Sequence, residues 1–76
     1  MDINTINKIM KERYNCMVVS IFQHENTHFI KGLESLKNGI RYKYFKIEKD
    51  KITEILDENI LNYFREKNEI HEEVNY

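Results

Sequence analysis

The dipeptide Asn38-Gly39 constrains this chain more than any other feature. It sits between two runs that carry β-branched and aromatic residues, HFIKGLESL before it and IRYKYFKI after it. A type I′ turn needs positive φ at both central residues, and Asn and Gly adopt it at the least cost, so the pair predicts a tight hairpin. Residues 28–36 and 39–47 are then two strands, although Gly32 weakens the first of them. A third strand is expected upstream. From Tyr14 to Gln23 the apolar residues Met17, Val18, Val19, Ile21 and Phe22 come in near-continuous series, a pattern suited to an interior strand. The polar stretch HENTH at 24–28 breaks that run as a connection.

Helical spacing brackets the strands. Ile3, Ile6, Ile9 and Met10 recur at three- and four-residue steps, with Asp2 or Asn4 placed to cap the first turn. Beyond the third strand, Ile52, Ile55, Leu56, Ile60, Tyr63 and Phe64 repeat at the same steps, and Asp50 stands where a cap belongs. Leu56, Tyr63 and Phe64 are expected in the core. The reading is an α+β domain: a three-stranded antiparallel β-meander flanked by N- and C-terminal helices, in the order α-β-β-β-α. Residues 1–76 form one domain, and residues 69–76 are an acidic tail or one further turn. Both helices are expected on one face of the sheet, leaving the other face open.

Size limits what such a domain can do. A chain of 76 residues buries only about 60% of the surface its unfolded form exposes, so nearly every large apolar residue is needed inside. Little remains for an enclosed active site. With 41% hydrophobic and 33% charged residues and a net charge of -1, it is neither a disordered chain nor a bulk polycation. The single Cys16 cannot form an internal disulfide and lies in an apolar stretch, where a buried structural thiol is expected. Neither a secretory leader nor a membrane span is legible, so a cytoplasmic location is expected.

The near-neutral total hides a strong asymmetry. Residues 1–30 sum to 0, residues 31–51 to +4 and residues 52–76 to -5. In the third strand the side chains alternate, so Ile40, Tyr42 and Tyr44 share one side while Arg41, Lys43 and Phe45 share the other. If the tyrosines pack under the helices, Arg41, Lys43 and Phe45 stand on the open face. Cations beside a stacking aromatic suit single-stranded nucleic acid, which needs its phosphates neutralised and its bases stacked. Lys37, Lys46 and Lys49 extend that candidate nucleic-acid surface. At the other end, Glu66, Glu69, Glu72 and Glu73 form a candidate protein-binding surface. His24 and His28 flank a turn without a third ligand, so no metal, cofactor or catalytic site is expected. Self-association through exposed edge strands is a further option.

The order of elements resembles the double-stranded RNA-binding domain. That resemblance implies a nucleic-acid-binding module using the basic strand-three face. The lysine cluster at the start of the second helix is represented by Lys46, Lys49 and Lys51. The chain also resembles, over its first 64 residues or so, small prophage-encoded anti-CRISPR inhibitors. The opening MDIN, Tyr14 at the start of strand one, the Asn38-Gly39 hairpin and the amphipathic helix near Asp50 carry this likeness. It implies a non-enzymatic inhibitor or adaptor from a phage or mobile element, which occupies the DNA-binding groove of a host defence nuclease. In that family the hairpin is acidic. Here it carries Lys37, Arg41 and Lys43, so the resemblance leaves the acidic C-terminal segment as the mimic of nucleic acid.

Overall fold

The computed structural model describes the backbone of residues 1–74 and the side chains of residues 1–67. Helix α1 spans Ile3–Tyr14, followed by strands β1 (Cys16–His24), β2 (Thr27–Leu36), β3 (Gly39–Glu48) and β4 (Lys51–Glu54), and then helix α2 (Glu58–Val74). The strands form one antiparallel sheet in the order β1-β2-β3-β4. The α+β class and the meander agree with the sequence reading, but the sheet has a fourth strand.

That strand occupies the stretch read as the start of the second helix. Lys49 and Asp50 take φ of 50° and 60°, the pair of left-handed residues that closes a two-residue hairpin of the primed kind. The chain therefore folds back on β3 at Lys51, and Asp50 caps nothing. The helix start lies seven positions later, where the Asp57 carboxylate accepts from the Asn59 amide at 2.9 Å and from that of Ile60 at 3.4 Å. Ile52 and Ile55 satisfied a helical spacing in sequence, but KITE is also an alternating segment rich in β-branched residues.

The hairpin signals are redistributed in the same way. Glu25 and Asn26, with φ of 49° and 65°, form the β1–β2 turn. At the β2–β3 turn, Leu36 pairs with Gly39, so Lys37 and Asn38 are the central residues and neither has positive φ. Gly39 takes φ of 157° instead, a conformation glycine reaches without a Cβ penalty. Tyr14 closes α1 instead of opening β1, and Asn15 ends the helix at φ 55° with its amide bonded back to the Lys11 carbonyl.

Each helix takes its own sheet face, but α2 covers only part of its face: Met17, Ile40 and Tyr42, on the same side as Phe29 and Tyr44, are 64%, 58% and 40% exposed. Residues opposite one another in an antiparallel pair share a face, and the register puts Ile30, Phe45 and Ile52 on one side and Phe29 and Tyr44 on the other. Helix α1 buries Ile6 and Met10 against Cys16, Ile30, Phe45 and Ile52. Helix α2 buries Leu61 and Phe64 against Phe29, Tyr44 and Ile55, with Phe22 beside them. Gly32 lets α1 approach closely: a Cβ there would lie 3.1 Å from Met10 Cε and from Phe45 Cε1, and 3.2 Å from the Cys16 Cβ. The Tyr14 hydroxyl donates to the Ile52 carbonyl at 3.0 Å and its ring packs 4.7 Å from that of Phe45, tying the end of α1 to β4.

Candidate functional site

The residues singled out in β3 divide between core and ion pairs. The alternation itself holds, but because α1 covers the face of Arg41, Lys43 and Phe45, Phe45 is fully buried and cannot stack on a base. Arg41 donates through Nε and Nη2 to one Glu34 carboxylate oxygen, at 3.1 and 2.7 Å. Lys43 Nζ lies 3.6 Å from Glu34 and 3.9 Å from Glu54. The Arg41 hydrogen bonds hold the Glu34 carboxyl below its ordinary range, with Lys43 adding to the effect. This network sits beyond the end of α1 near Cys16, whose thiol is pushed up chiefly by burial and then by the Glu34 charge. Cys16 is buried, as its apolar surroundings in sequence suggest, and its Sγ donates to the Tyr14 carbonyl at 3.3 Å.

The remaining candidates are scattered. Lys37 lies in the β2–β3 turn and Lys49 in the β3–β4 turn, both exposed, and Lys46 Nζ is 3.5 Å from Glu48. Tyr42 is 40% exposed and Tyr44 is buried, so the two tyrosines do not both pack under a helix. Lys31 Nζ sits 4.3 Å from the centre of the Tyr42 ring. Glu66 is exposed on α2. Glu69, Glu72 and Glu73 lie outside the residues whose side chains are described. Among the described residues, no cluster of His, Cys, Asp and Glu is arranged to hold a metal ion, and no helix is long and apolar enough to cross a membrane.

A different surface collects the apolar side chains that size alone would send inside. Leu56, expected in the core, is 76% exposed; Ile60 is 41% and Tyr63 40% exposed. The shift of the helix start explains this: Leu56 falls in the β4–α2 connection, and the buried stripe of α2 begins at Leu61 and continues at Phe64. The three exposed residues form the lip of a groove of about 510 Å³ whose floor includes Phe29, Ile55 and Phe64. His24 closes one side, its ring 5.3 Å from that of Tyr63 and 5.8 Å from that of Phe64. Glu25, Glu54, Asp57 and Lys46 rim the groove, and Lys67 Nζ lies 4.8 Å over the ring of Tyr63 at its lip. Sequence periodicity marks Ile60, Tyr63 and Leu56 as apolar and helical. Only the position of the β3–β4 turn reveals which of them face outward.

The chain matches no family model, no curated protein and no solved structure.

Proposed function

We propose that this chain is a non-enzymatic protein-binding domain, an inhibitor or adaptor, whose target is a host defence nuclease of the RNA-guided kind. The observation that carries the reading is the groove lipped by Leu56, Ile60 and Tyr63. Exposed aromatic and aliphatic residues around a concave floor are the usual anchors of a protein interface, and so small a domain gains nothing in stability by leaving Leu56 in water. The acidic rim of Glu25, Glu54 and Asp57 complements a partner that presents basic side chains, as the nucleic-acid groove of a nuclease does. Along α2, Glu58 and Glu66 add negative charge, offset by Arg65, which lies 3.6 Å from Glu58, and by Lys67, whose Nζ lies 4.8 Å over the Tyr63 ring. The nucleic-acid-binding alternative has less to stand on, since its stacking residue is buried and Arg41 and Lys43 are paired with carboxylates.

The test is inhibition of DNA cleavage by a panel of purified RNA-guided nucleases, read alongside direct binding to each. Stoichiometric inhibition of at least one is expected. Leu56→Asp should weaken the complex by about tenfold or more, the cost of losing a central anchor. Absence of both inhibition and binding across the panel discards the nuclease target. Undiminished binding by Leu56→Asp discards the groove. A mobility assay with RNA and DNA at low ionic strength should show no shift; a shift lost in Arg41→Ala reinstates the alternative.

A further inference from the structure

The two outer strands of the sheet are unequal. Strand β4 has four residues and carries Lys51 and Glu54, so it offers little to a neighbouring chain. Strand β1 has nine residues, and from Cys16 to His24 it contains no Asp, Glu, Lys or Arg. Backbone donors and acceptors along its outer side point away from β2. A register shift between Val18 and Ser20 divides the strand, and beyond it Ser20, Ile21, Phe22, Gln23 and His24 pair regularly with Lys31 through Thr27. Each side of this second half carries one large apolar side chain, Ile21 beside Gln23 on one and Phe22 between Ser20 and His24 on the other. On the α1 face Ile21, 37% exposed, shares a cavity of about 390 Å³ with Met1 and Ile3, which are 42% and 51% exposed. On the α2 face the Phe22 ring lies 5.1 Å from Phe64, and His24 lies against Tyr63.

We propose that the outer edge of Ser20–His24 pairs with the same segment of a second copy, antiparallel about a two-fold axis at Phe22, joining the two four-stranded sheets into one. Three features favour a second copy over an unrelated strand. The segment is neutral, so pairing with itself sets no charge against its like: Ser20 faces His24 of the second copy and Ile21 faces Gln23. Directly opposite residues must share a face, and this register satisfies that condition along the whole segment, because side-chain alternation is unbroken from Ser20 to His24. The bulge stops the ladder there. The axis also brings the Met1, Ile3 and Ile21 cluster of one copy beside that of the other, covering apolar surface that the monomer leaves in water.

Sedimentation equilibrium of the full chain over a wide concentration range should show a monomer–dimer equilibrium. Ile21→Lys replaces a side chain already in contact with water and should raise the dissociation constant by about tenfold or more with circular dichroism unchanged. The register is tested with Ile21→Cys combined with Gln23→Cys, which should link two copies under mild oxidation, whereas Met17→Cys combined with Gln23→Cys should not. A purely monomeric chain overturns the proposal. So does a dimer that survives Ile21→Lys, or one that crosslinks through residue 17.

Discussion

Helices α1 and α2 cover opposite faces of one sheet with different materials. The α1 face is mostly aliphatic, with Ile6, Met10, Ile30 and Ile52 around the Phe45 ring and Tyr14 at its margin, and backbone and helix come so close at Gly32 that a methyl group would crowd three neighbours. The α2 face is mostly aromatic. Phe22, Phe29, Tyr44 and Phe64 meet at ring separations of 4.8 to 6.4 Å, largely edge to face. Four rings cover the sheet with few residues, and the side chains at the beginning of α2 are left over. A tightly interlocked face tolerates little change in volume, whereas the ring-built face retains a groove. Close packing and an open groove are thus separated onto the two sides of a sheet only four strands wide.

The largest effect should come from Phe45→Ala, which empties the centre of the aliphatic face. A loss of about 3 to 5 kcal/mol is expected by chemical denaturation, enough to unfold much of a domain this small. A loss below about 1 kcal/mol would mean that the α1 face is not the close-packed one. Gly32→Ala sharpens the same contrast: adding a single methyl should cost about 1 to 3 kcal/mol, because the Met10 tip can give way but the Phe45 ring and Cys16 Cβ cannot. A neutral or stabilising result would show that α1 moves off the sheet freely.

The pH dependence is smaller. Since Glu34 titrates below its ordinary range when folded, its contribution is present above the ordinary carboxylate pKa and is lost as pH falls through the folded value. The wild type should therefore lose more stability than Glu34→Gln does on acidification through that window, in melting curves recorded pH by pH. Parallel profiles would remove the Arg41–Glu34–Lys43 network from the stability account. The smallest effect belongs to the α2 side: Leu56→Ala should change stability by no more than about 0.5 kcal/mol, as for any exposed site. A cost near that of Phe45→Ala would place Leu56 in the core and close the groove.

Much of the fold was legible because its signals are local. Ile3, Ile6 and Met10 announce α1, the HENTH and Asn38-Gly39 breaks locate two hairpins, and strict alternation sorts β3 into Tyr42 and Tyr44 on one side and Lys43 and Phe45 on the other. Residues 49–57 resisted for a physical reason. Left-handed φ at Lys49 and Asp50 is imposed by the hairpin they close, with no glycine to advertise it, and Ile52 and Ile55 fit a helix stripe as well as a strand. The site was hidden behind that ambiguity. Parity states which residues share a face, but what covers the face depends on where a helix far along the chain comes to rest. Phe45 therefore read as available to a ligand while Leu56 read as core, and the two are reversed.

The hydrogen bond from Tyr14 to the Ile52 carbonyl spans 38 positions of the chain, whereas the three strand pairings join neighbours through two-residue turns. The meander can therefore zip up from local contacts, while helix α1, made before the strands, has to wait for β4 before it can be latched in place. Helix α1 becomes the closing piece of the fold, and until β4 is synthesised the apolar side it will cover stands open to whatever else is in the cell.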